Sequence, residues 1–184
     1  LSSQRDSAGS NVVSWTRGQV LRDVRFYVMA PGILSSPMIV TAFFFHHLNV
    51  AEAKGWSGEW ITGAYIFYAL AGIITVLFAG PLIDRFRAER VIQVMLIPLM
   101  GACLMLATAD RAFWVIPYMI MMGLHTGLIH TSASALWAEL YGPQHLGAIK
   151  SLYLALMVFA SAVGPVVMGM LMDAGLSIYR GCSV

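Results

Sequence analysis

Between Arg25 and Asp173 the chain alternates between long stretches without a charged side chain and short charged connections. Five such stretches run from Phe26 to Ala51, Trp60 to Ile83, Val91 to Ala109, Ala112 to Ala138 and Ser151 to Met172, each 19 to 27 residues long. A helix needs about 20 apolar residues to cross ~30 Å of hydrocarbon, so the pattern predicts five transmembrane helices. Strands of a membrane barrel would show ~10-residue segments with alternating polarity. Leu152 to Val163 is instead apolar at odd and even positions alike. The predicted fold class is an all-α integral membrane protein. Residues 1–25 read as a linker and interfacial segment, 26–180 as the transmembrane bundle and 181–184 as a short tail.

Composition agrees and excludes other classes. The chain has 184 residues, 59% of them hydrophobic and 11% charged. A soluble surface needs about 25–35% charge, which rules out a water-soluble enzyme. A net charge of +2 is too weak for a nucleic-acid binder. Cys103 and Cys182 lie too far apart in sequence to form a disulfide framework. No signal peptide is expected, because Leu1 to Arg25 is polar and carries four arginines.

The connections fix an expected orientation. Arg5, Arg17, Arg22, Arg25, Arg85, Arg87, Arg90 and Lys150 fall on one side, and only Lys54, Arg111 and Arg180 on the other. By the positive-inside rule the N-terminus is cytoplasmic, and the expected location is a plasma (inner) membrane. Within the runs, Pro31, Pro37, Pro98, Pro117 and Pro165 mark kinks, or the helix breaks that transporters use.

One loop narrows the function. Gly80-Pro81-Leu82-Ile83-Asp84-Arg85-Phe86-Arg87-Ala88-Glu89-Arg90 joins the second and third runs. It resembles the major facilitator superfamily of secondary transporters, whose signature loop reads Gly-x-x-x-Asp-Arg-x-Gly-Arg-Arg. Gly80, Asp84 and Arg85 match. Arg87 stands at the turn glycine, and Ala88-Glu89 replace the basic pair before Arg90 restores one charge. Glu139 to Gly147 is similar to the tenth-to-eleventh junction of that superfamily, and Ala160 to Pro165 to its Gly-Pro-containing eleventh helix. The resemblance implies helices seven to eleven of twelve in a bacterial-type C-terminal half, with an N-terminal six-helix half as partner and a cytoplasmic latch at Gly80, Asp84, Arg85 and Arg90. The implied function is secondary active or facilitative transport of a small solute by alternating access within an intact twelve-helix protein. The alternative is a non-transporting polytopic module, a sensor or assembly subunit. Neither reading calls for an enzyme, a cofactor or a metal.

Candidate contacts come from the polar residues inside the runs, none of which is charged. A charge there is a functional flag, so any coupling proton falls to histidine or to another part of the protein. His125 lies at the centre of the fourth run, and Tyr118, His125 and Ser132, spaced by seven, share a face. His130, Ser134 and Trp137 share another. Each histidine either meets a substrate or proton or makes an interhelical hydrogen bond. Tyr65, Tyr68 and Tyr153 are candidate cavity-lining residues, with Ser35, Ser36, Thr41 and Ser161 behind them. Gly123 and Gly127, and the Gly164-Pro165 pair, are expected to pack helices closely. His46-His47 reads as an interfacial pair at an outer gate. The resemblance further implies that the first, second, fourth and fifth runs face the cavity, whereas the third is peripheral.

Overall fold

A computed structural model of the chain describes residues 14–174. Residues 1–13 with Arg5, the last residues of the expected bundle with Arg180, and the expected tail with Cys182 lie outside them. Among the described residues the structure is all-helical, and five segments are long and apolar enough to cross a membrane: Val24–Ala53, Gly58–Phe86, Ala88–Thr108, Ala112–Tyr141 and Leu146–Asp173. Each reaches beyond its uncharged run to take in flanking charges such as Glu52, Arg85 and Lys150. Helices do not stop at the hydrocarbon edge.

A single turn, α1 (Arg17–Val20), precedes the first span. It is shorter than the expected interfacial segment because Asp23 begins a new helix: its carboxylate accepts from the Arg25 N–H at 3.0 Å. Trp15 docks beneath the fourth span, donating its N–H to the Tyr141 carbonyl at 2.9 Å. The first span, α2 (Val24–Ala53), runs unbroken through Pro31 and Pro37. The second comprises α3 (Gly58–Gly63) and α4 (Tyr65–Phe86), the third α5 (Ala88–Val94) and α6 (Leu96–Thr108). Pro98 accounts for the break in the third. It has no N–H for the Val94 carbonyl four residues back, and α5 ends at Val94. The fourth span is α7 (Val115–Tyr141), where Pro117 falls in the first turn and no N–H is missed. The fifth is α8 (Leu146–Asp173).

The α7 helix forms the centre: thirteen of its residues are buried, against four of α8. It lies on α4 through glycine. A Cβ on Gly127 would come within 2.6 Å of Thr75 Cβ, and one on Gly123 would strike the Tyr68 carbonyl oxygen. Gly164 does the same for α8, where a Cβ would run into the backbone of Met38 on α2. The third span buries Val91, Met95, Leu99, Ala102 and Leu106 toward α7 and exposes Val94, Ile97, Met100 and Leu104. That one-sided stripe suits an outer position. Gly80 differs from the other three glycines. A Cβ there meets nothing within 4 Å, so no helix approaches closely at that position.

The two ends of the bundle are tied differently. At one end, Lys54 Nζ donates to the Ala109 carbonyl (2.6 Å), Trp56 Nε1 to that of Asp110 (3.1 Å) and Trp60 Nε1 to that of Ala112 (2.7 Å). These bonds strap the first connection to the third. At the other end, the Glu139 carboxylate accepts the Ala88 N–H at 3.2 Å, capping α5. The residue before it, Arg87, has φ 67°. This is the left-handed region that glycine adopts without steric cost, at the position where the signature loop has glycine.

Candidate functional site

Four helices, α2, α4, α7 and α8, leave a groove of about 330 Å³ between them. Its polar wall consists of Ser36, Thr41, Tyr68, Thr126, His130 and Ser161. Val40, Phe44, Ile129 and Met157 supply apolar surface, and the lining includes no Asp, Glu, Lys or Arg. A second, shallower hollow along α4 and α7 shares Tyr68, Thr126 and His130 with it. The Thr126 hydroxyl is turned back to the Met122 carbonyl at 2.9 Å, and that of Ser161 to the Val158 carbonyl at 2.8 Å. These two hydroxyls satisfy their own helices, so their oxygens face the groove as acceptors.

The two candidate histidines of α7 part company. His130 is exposed on the groove. His125 is fully buried and takes no part in the lining. Its Nε2 lies 2.5 Å from Ser36 Oγ and its Nδ1 2.7 Å from the Met95 carbonyl oxygen, at the break in the third span. His125 thus links the groove wall on α2 to the α5–α6 joint. Five residues at 100° each separate the two rings by about 140° around α7, which puts one in the core and the other in the opening.

The tyrosines also divide. Tyr68 lies on the groove, its ring edge-on to Phe44 with centroids 5.0 Å apart. Tyr65 sits one turn away and is half-buried. Its hydroxyl bonds His47 Nδ1 at 2.7 Å, while His47 Nε2 reaches the Tyr118 hydroxyl at 2.6 Å. His47 is therefore a core residue, 2% exposed, rather than half of an interfacial pair. Aromatic rings from three spans close around it, since Phe44 lies 5.0 Å away and Tyr65 and Tyr118 flank it. His46, half-buried, donates from Nε2 to the Pro165 carbonyl at 3.1 Å. Tyr153 is also outside the groove, buried against Trp137 at 5.7 Å between centroids. At the charged loop, Asp84, Arg85 and Arg90 are exposed, with the Arg85 guanidinium 5.5 Å from the Phe86 ring centre.

Sequence reasoning missed the His47 cluster, the part played by Ser36 and the Glu139 cap. Only the first left a signal. Tyr118 lies on the His125 face at spacing seven, so a partner for its hydroxyl was required in the core.

Five long apolar helices, four of them around a groove lined by hydroxyls and one open histidine, define a polytopic membrane protein. Residues 26–180 match the family model described as Major Facilitator Superfamily, and the chain belongs to that superfamily, whose members move small solutes across membranes. No curated protein and no solved structure matches it.

Proposed function

We propose that this chain is the C-terminal half, helices seven to eleven of twelve, of a secondary transporter that works by alternating access, with an N-terminal six-helix half as its partner. The solute path runs along the groove between α2, α4, α7 and α8. His130 and Tyr68 meet the solute, and Tyr65 backs that wall through His47. His125 holds the wall in place, and the Gly80 to Arg90 loop latches the cytoplasmic face in a plasma membrane, with the N-terminus inside.

One observation carries the reading. The groove opens at mid-helix among the four spans that the family resemblance assigns to the cavity, and the third span takes no part in it. Polar atoms at that depth are costly unless they are used or wet, and His130 is exposed there.

Cysteine accessibility tests the path. In a background carrying Cys103→Ser and Cys182→Ser, Thr41→Cys and Ser161→Cys react with N-ethylmaleimide in membranes, whereas Ser132→Cys, at a buried position, does not. Equal rates at all three would refute the groove as a path. For topology, Glu59→Cys reacts with an impermeant maleimide added outside intact cells; reaction only after permeabilisation would invert the orientation.

A further inference from the structure

The hydrogen-bond chain behind the groove has a fixed direction. The Met95 carbonyl can only accept, so His125 Nδ1 must carry the proton that joins them at 2.7 Å. The ring is fully buried, and its two contacts are a carbonyl and a hydroxyl, not a carboxylate that would offset an imidazolium charge. A neutral ring protonated at Nδ1 has a lone pair at Nε2. Ser36 Oγ, 2.5 Å away, must then donate its single proton to Nε2. That proton is no longer available to the groove; Ser36 borders the groove while only 2% exposed, and its oxygen keeps its lone pairs.

We propose that Ser36 is a specificity-determining residue, held by His125 as a hydrogen-bond acceptor on the groove wall, so that the transported solute presents a donor there, an alcohol O–H or an amide N–H. This rests on the groove being the solute path. His125 is the positioning residue: it touches no solute and sets the polarity of one that does. Thr126 and Ser161, whose protons are spent on their own helices, give the wall the same bias. Three oxygens from three helices accept, and Thr41, Tyr68 and His130 remain to donate. A solute bearing only acceptors, an ether or an ester, meets lone pair against lone pair at Ser36.

Two measurements test this independently. In protein labelled with ¹⁵N-histidine, the His125 resonances, assigned by their loss in His125→Gln, show a protonated Nδ1 and an unprotonated Nε2 at neutral pH. Ser36→Ala moves the Nε2 signal and leaves Nδ1 in place. A protonated Nε2, in either the other tautomer or the imidazolium, overturns the proposal without touching the transport path. The second measurement uses Val40→Cys, one turn from Ser36 on the groove, in the cysteine-free background. Benzyl alcohol and benzyl methyl ether, whose rings suit the Phe44 and Tyr68 wall, compete with N-ethylmaleimide. The alcohol protects at a concentration about threefold to tenfold lower than the ether, the value of one hydrogen bond, and Ser36→Ala removes the difference. Equal protection with Ser36 present overturns the acceptor role and leaves the groove standing. No reaction at Val40→Cys overturns the path itself, while the tautomer measurement still reads the Ser36–His125 bond.

Discussion

His125 and His130 share a helix, a residue type and nearly the same depth, yet one is sealed and the other open. His125 spends both ring nitrogens inside the protein, whereas His130 faces the groove. Azimuth alone does not explain the difference. Trp137 lies seven residues beyond His130, on the same face of α7, and is 1% exposed. Phe26 from α2 and Tyr153 from α8 cover it, with ring centroids 5.6 and 5.7 Å away. The open face of α7 is thus open only along part of its length, where α2 and α8 stand back. A polar residue in a membrane helix acquires its role from what its neighbours leave uncovered at that height.

The seam between α7 and α4 is the easiest to break. Gly123→Leu drives a side chain into the Tyr68 carbonyl and Ala71, and backbone on both sides leaves nothing to yield. A cost of about 3 kcal/mol or more is expected, seen as loss of the monodisperse peak in size-exclusion chromatography. Gly80→Ala, with open space around it, keeps that peak. A stable Gly123→Leu protein would show that α4 and α7 are not in contact.

His125→Ala comes next. It strands the Ser36 hydroxyl and the Met95 carbonyl in a buried site, at about 2 kcal/mol, and lowers the midpoint of thermal unfolding. Membrane hydrogen bonds average only about 0.6 kcal/mol, so an unchanged midpoint would mean that solvent or other groups reach both partners, and the face would not be sealed.

At Arg87, an exposed residue between the second and third spans, the expected change has the opposite sign. Arg87→Gly keeps φ 67° without a Cβ penalty and raises stability by about 1 kcal/mol, checked by the same thermal midpoint. A fall would mean that the Arg87 side chain contributes more than its backbone conformation costs.

Much of this was legible in the sequence, for physical reasons that differ by feature. Uncharged runs of membrane length must be spans, because hydrocarbon tolerates little else, so five spans and their order follow directly. The Tyr118, His125 and Ser132 face was visible as a spacing of seven, and all three are buried. What spacing cannot give is which face is covered, since that depends on residues far away in the chain. His125 lies at mid-span, where a solute contact is expected, but Ser36 on α2 and Met95 at the Pro98 break enclose it. His47 read as interfacial from its place near the end of its run, until Tyr65 and Tyr118 came to flank it. Gly123 and Gly80 look alike in one dimension; only the first has a helix opposite.

The finest test of the comparison is the variant expected to change stability least. His130 makes no contact that holds the bundle in the described residues beyond lining the groove, so His130→Ala should move the thermal midpoint by the equivalent of less than about 0.5 kcal/mol. It also widens the groove, and N-ethylmaleimide should reach Thr41→Cys faster in that background. His125→Ala should do the reverse on both counts, with a lower midpoint and little direct change in access, because its ring is not part of the lining. A crossed pattern is needed. If both variants lowered stability and left access unchanged, the two rings would be equivalent core residues, and the division of α7 into a sealed and an open face would fail where it is most specific.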